Sequence, residues 1–95
     1  MGLRFAWDDH KARLNLGNHG VSFDEAAMVF FDPLARIFDD EAHSLEEPRE
    51  IIIGHSSEDR LLLICFTERG GVIRIISARK ATRKERTEYE ENARS

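Results

Sequence analysis

Two stretches of the sequence carry side chains able to do chemistry. In Asp39-Asp40-Glu41-Ala42-His43-Ser44-Leu45-Glu46-Glu47-Pro48-Arg49, His43, the pair Glu46-Glu47 and Arg49 supply a proton acceptor, a proton donor and an anion clamp. Those are the parts used when a ribose 2′-hydroxyl attacks its own phosphodiester. An acidic surface loop with an incidental His43 accounts for the same composition. The second stretch is Val72-Ile73-Arg74-Ile75-Ile76-Ser77-Ala78-Arg79-Lys80. Regular strand alternation puts Arg74 with Val72, Ile76 and Ala78, and Ser77 and Arg79 with Ile73 and Ile75, so the two arginines face opposite sides. Arg74, set between isoleucines, is expected to be covered and to need a partner, either a carboxylate within the domain or another acceptor. Arg79 and Lys80 fall where a strand ends and a helix begins, in reach of an anion that the helix amides would also favour.

His19, between Asn18 and Gly20, belongs to a helix end, where the carbonyl dipole favours a protonated imidazole; packing against Trp7 is the alternative. His10 and His55 have no metal-ligand spacing, and Gly70-Gly71 reads as a turn rather than a phosphate cradle, so neither metal nor cofactor is expected.

The elements that must position these groups follow from local signals. Phe5-Ala6-Trp7 suits a short edge strand, and Asp8-Asp9 opens a helix over residues 9–18 with Gly20 as its left-handed stop. Its apolar face, Ala12 and Leu16 with Leu14, is thin, so docking must hold it. Ser22-Phe23-Asp24-Glu25 matches a capping box for a second helix over 23–31, ended by Asp32-Pro33. Strands are expected over 34–38, 50–55, 61–67 and 72–78, with Gly70-Gly71 supplying the positive φ of a tight turn. Thr82-Arg83-Lys84-Glu85 is a second capping box, opening a polar terminal helix. Its apolar content, Tyr89 and Ala93, is too small for a core helix. The plan is α+β, with N-terminal helices on a four-stranded antiparallel sheet and a C-terminal helix.

Ninety-five residues make a single domain, 1–95, the expectation. No apolar run approaches the roughly 18 residues of a membrane span, and Asp8-Asp9 follow too soon for an export signal. Cys65 is the lone cysteine, read as a small buried apolar residue, which excludes a disulfide scaffold and fits a cytoplasmic protein without membrane contact. The net charge of −4 conceals a division: residues 1–68 hold six Lys/Arg against fourteen Asp/Glu, whereas residues 69–95 hold eight against four. Such a basic segment suggests an anionic partner such as nucleic acid, although a solvated charged face has the same composition.

Phe5-Ala6-Trp7-Asp8, Lys11-Ala12, Asn15, His19-Gly20-Val21-Ser22-Phe23-Asp24-Glu25-Ala26, Phe31-Asp32-Pro33, Asp39, His43-Ser44, Arg49, Gly54, Ser56 and above all Arg74-Ile75-Ile76-Ser77-Ala78-Arg79-Lys80-Ala81-Thr82, with Glu85-Arg86 and Tyr89, resemble the BrnT toxins of bacterial type II toxin-antitoxin modules. The resemblance covers nearly the whole chain. It implies a RelE-like fold and a ribonuclease that cleaves RNA to arrest translation and growth, neutralised by a BrnA-like ribbon-helix-helix antitoxin through which alone it would meet DNA. On that reading His43, Glu47, Arg74 and Arg79 serve catalysis, and His19, Arg49, Ser77, Lys80 and Arg83 bind RNA. The rival expectation is a non-catalytic interaction module acting as co-repressor in a DNA-binding complex.

Overall fold

The structure, a computed structural model, describes residues 2–40 and 48–93. The elements run β1 (Arg4–Ala6), α1 (Asp9–His19), α2 (Phe23–Met28) continuing into a 3-10 turn at Val29–Phe31, β2 (Arg36–Asp39), β3 (Glu50–His55), β4 (Leu61–Arg69), β5 (Val72–Lys80) and α3 (Arg83–Ala93). The local signals account for most of these boundaries. Asp8 accepts from the His10 amide at the start of α1, and Gly20, at φ 68°, ends it. Gly70 and Gly71, at φ 56° and 80°, turn β4 into β5.

The sheet differs from the four antiparallel strands expected. It has five, in the order β1-β5-β4-β3-β2, and is mixed, because β1 lies at the edge parallel to β5 while β2 to β5 form the antiparallel meander. One face packs under α1 and α2 through Val21, Phe23, Ala26, Val29, Ile52, Leu62, Ile64, Phe66, Ile75 and Ala78. The other carries a smaller cluster of Ile53, Leu61 and Leu63 under Tyr89 of α3. The terminal helix is therefore docked, contrary to the sequence expectation. Tyr89 is 4% exposed, its hydroxyl donates to Asp32 Oδ2 at 3.1 Å, and its ring meets His55 edge-on. One aromatic residue with a satisfied hydroxyl does what an apolar stripe would otherwise have to do.

Helix α1 also docks differently from expectation. Leu14 and Leu16 are half exposed, and the buried residue is Asn15. Its carboxamide donates to the carbonyls of Val21 and Ala78 and accepts from the Ala78 amide. Because β1 pairs only with Val72, Ile73 and Arg74, the β5 edge beyond it lacks a strand partner, and Asn15 supplies the missing amide. The first capping box is half formed. Ser22 accepts from the Glu25 amide, but the Glu25 carboxylate, expected to bond back, instead takes Ser56 Oγ at 2.6 Å and a two-nitrogen contact from Arg60. The Arg60 hydrogen bonds hold this buried carboxyl below the ordinary glutamate value against the upward push of burial. At Thr82 both capping-box bonds form.

The decisive irregularity is a bulge in β5. Cys65 pairs with Ser77 and Phe66 with Ile75, leaving Ile76 as an extra residue. The bulge inverts the alternation: Ile73, Ile75 and Ala78 reach the helix-covered core, while Arg74 opposite Thr67 and Arg79 opposite Leu63 project from the other face. The expectation that the two arginines face opposite sides is thus corrected.

Candidate functional site

On that second face, His19, Asp40, Arg49, Ile51, Leu63, Cys65, Ile76, Ser77, Ala78 and Arg79 line an open cleft of about 370 Å³. Four candidates named from the sequence, His19, Arg49, Ser77 and Arg79, meet here from three places in the chain. His19 arrives as the last residue of α1, just before the left-handed Gly20. Ser77 and Arg79 owe their placement to the bulge. Arg49 precedes β3, whose first residue Glu50 points to the helix side opposite Phe66, so Arg49 takes the cleft side. Its Nε is buried with no hydrogen-bond partner among the described residues. His43 and Glu47 lie outside the described residues. Asp40 and Arg49, the cleft residues nearest that interval, are tied by an Asp40 N–H to Arg49 carbonyl bond of 2.9 Å.

Arg79 stands at the expected strand-to-helix junction, but the anion it meets there is a carboxylate of its own chain. Its Nη1 and Nη2 each reach the Glu85 carboxylate at 2.8 Å, and Nη1 also donates to the Lys80 carbonyl at 3.2 Å. Glu85 caps α3 with the same carboxylate, so the capping box and the strand arginine share one anion. The Arg79 hydrogen bonds, helped by the Thr82 amide, lower the Glu85 carboxyl to about 2 against its partial burial. With 41% of its side chain exposed, Arg79 still borders the cleft.

Other candidates are placed elsewhere. Arg74 is exposed, contrary to the expected burial, and has no carboxylate partner among the described residues. It lines a neighbouring cleft with Ala6, Thr67, Arg69 and Val72, about 13 Å along the strand from Arg79. Lys80 pairs with Leu62, so its side chain takes the helix face, where its charge acts on Glu25; it is not joined to Arg79 as expected. Arg83 is exposed in the first turn of α3 and is not a wall of the cleft.

Cys65, read from sequence as a core residue, is a half-buried part of the cleft wall. Burial first, and then the charge of Asp40 3.7 Å from its sulfur, push the thiol up to about 11. It therefore stays protonated near neutrality. Asp40 was the other cleft residue that sequence reasoning did not single out; an acidic run of four carboxylates around it masked its individual position.

The basic character extends beyond the cleft. Arg4 pairs with Val72, which pairs with Arg69; Ala6 pairs with Arg74; Arg36 pairs with Ile53, which pairs with Leu63. Directly opposed residues share a face, so Arg4, Arg36, Arg69 and Arg74 stand on the same side as Arg49 and Arg79. By the same rule Asp39, Glu50 and Glu68 stand on the helix side. Arginines thus predominate on the cleft face, although Asp40 lines the cleft and Lys80 stands on the helix side. Among the described residues, no group of three or more His, Cys, Asp or Glu is arranged to hold a metal, and no helix is long and apolar enough to cross a membrane.

Residues 7–85 match the family model described as the ribonuclease toxin BrnT of type II toxin-antitoxin systems. No curated protein sequence matches the chain. Among solved structures, the chain is similar to the crystal structure of the Brucella abortus ribonuclease toxin BrnT, with a TM-score of 0.67 and 22% identity. That match covers 86% of this chain and 100% of the Brucella chain. At such identity the likeness is one of fold.

Proposed function

The chain belongs to the BrnT family of ribonuclease toxins of type II toxin-antitoxin systems, and on that premise we propose that it is a metal-independent endoribonuclease that cleaves single-stranded RNA at the His19–Arg49–Arg79 cleft. The observation that carries this reading is the gathering of Arg49, Ser77, Arg79 and His19 on a sheet face whose other exposed charges include Arg4, Arg69 and Arg74. Such a face neutralises successive phosphates, and Arg74, about 13 Å from Arg79 along the strand, serves a neighbouring phosphate rather than the scissile one. This moves Arg74 from catalysis to RNA binding.

The chemistry is transesterification. His43 or Glu47 removes the proton of the ribose 2′-hydroxyl, the 2′-oxygen forms a bond to phosphorus, and the bond to the 5′-oxygen breaks. The departing 5′-oxygen takes up a proton, leaving a 2′,3′-cyclic phosphate. Arg49 and Arg79 stabilise the charge that builds on the phosphoryl oxygens, while His19 and Ser77 position the strand. Glu85 holds the Arg79 guanidinium plane in place, at the cost of part of its charge. Lys80 and Arg83 contribute only long-range attraction. A BrnA-like antitoxin neutralises the activity, and the chain acts as a single cytoplasmic domain. Incubating the purified protein with RNA in the presence of a chelator tests the proposal: defined products ending in a cyclic phosphate are expected. RNA bound but uncut would instead support a co-repressor module, and cleavage abolished by the chelator would remove metal independence.

A further inference from the structure

The helix-covered face of the sheet is not fully covered. Beyond the 3-10 turn, Leu3, Phe30, Asp32, Ala35, Ile37, Glu50, Ile52, Phe66, Glu68 and Ile73 line an open groove of about 370 Å³. Its floor is apolar and is continuous with the main core through Ile52, Phe66 and Ile73. Two of the large apolar side chains lining it are open to solvent: Leu3 is 48% exposed and Ile37 55%. The charges lining it are all carboxylates, Asp32, Glu50 and Glu68, with Asp39 on the same side opposite Glu50. Asp32 is held by Tyr89 and the His55 amide, which leaves Glu50, Glu68 and Asp39 as the acidic rim.

An apolar floor with an acidic rim repels RNA and matches a protein segment that has apolar residues flanked by Lys or Arg. We propose that this groove, on the face opposite the basic one, is where the antitoxin polypeptide docks, through an apolar segment bordered by basic side chains. The proposal rests on the toxin reading above and adds the location and chemistry of the contact. Antitoxin and RNA then occupy opposite sides of one sheet, and the partner need not cover the cleft.

The test uses the polypeptide encoded beside this protein's gene, titrated against the full chain by calorimetry. Ile37→Ser combined with Glu68→Arg, both at exposed positions, should weaken binding at least tenfold while thermal melts and RNA cleavage by the uncomplexed variant stay at wild-type levels. Arg74→Ala, on the other face, should keep wild-type affinity for the partner. Wild-type affinity in the double variant, or an equal loss in Arg74→Ala, would overturn the proposal and leave the toxin reading standing. Absence of binding by the wild-type chain would overturn the proposal and the antitoxin pairing it rests on, whereas the ribonuclease reading is judged by RNA cleavage.

Discussion

At the scale of single residues, Arg79 and Glu85 form one ion pair that both caps α3 and borders the cleft. The forked guanidinium meets both carboxylate oxygens, a geometry that a lysine ammonium cannot reproduce. Arg79→Lys should therefore lose cleavage by about 100-fold while changing stability by no more than about 1 kcal/mol, because the pair is open to water. Cleavage rates beside thermal melts check both halves, and a fully active lysine variant would remove Arg79 from the site. The Arg79→Ala change carries a stability cost that an unpaired surface arginine would not. The same pair makes an acid-linked prediction. Its hydrogen bonds to Arg79 lower the Glu85 carboxyl from 4.5 to about 2 in the folded chain, so its contribution is complete above pH 4.5 and disappears as pH falls through about 2. Wild type should be more stable than Glu85→Gln by about 1 kcal/mol at neutral pH, and the two melting temperatures should converge between pH 4.5 and 2. A constant difference across that window would mean the carboxylate charge contributes nothing.

At the scale of elements, the cleft depends on how α1 is fastened to β5. Asn15 bonds both backbone groups of Ala78, the residue between Ser77 and Arg79, and so fixes the strand where two cleft side chains leave it. Asn15→Leu would fill similar space but leave the Ala78 amide and two carbonyls buried without partners. A loss of about 2–3 kcal/mol is expected, whereas Leu14→Ala on the exposed side should stay within about 0.5 kcal/mol. Denaturant midpoints of the two variants distinguish them, and equal values would show that α1 is held by its leucines after all. Gly54 plays a comparable role between β3 and the turn at Asp32. A Cβ there would lie 2.9 Å from Ala35 Cβ and 3.0 Å from Asp32 Oδ2, so only glycine lets Asp32 approach the His55 amide and the Tyr89 hydroxyl. Burial pushes the Asp32 carboxyl up, but its hydrogen bonds from His55, Leu34 and Tyr89 prevail and hold it below the ordinary aspartate value.

At the scale of the whole molecule, six arginines share one face of the sheet, so a net charge of −4 is compatible with the proposed RNA binding. Binding through Arg49, Arg74, Arg79 and their neighbours should weaken as salt rises, with a slope near −0.7 per neutralised single-strand phosphate. Measuring RNA affinity of wild type and Arg74→Ala over a range of salt should show a slope smaller by about one phosphate contact in the variant. An unchanged slope would take Arg74 out of the RNA path and confine binding to the cleft.

The sequence by itself determined the elements and the family of this protein. Caps at Asp8, Ser22 and Thr82, the stop at Gly20, the Gly70-Gly71 turn and the β-branched runs are signals carried by neighbouring residues, and local physics suffices to read them. Candidate residues were legible in part for the same reason: His19, Arg49 and Arg79 stood out by type and setting, and Ser77 through the family resemblance. Only the tertiary structure decided which of them meet and which way they point. One unpaired residue, Ile76, inverts the alternation of β5, and its position depends on pairing with a strand ten residues away. The Glu85 clasp on Arg79, the Glu25 pair with Arg60 and the Asn15 bridge to Ala78 are likewise chosen among many polar residues of similar type. Burial makes those choices, because a polar group taken from water must find a partner wherever the fold brings one within reach.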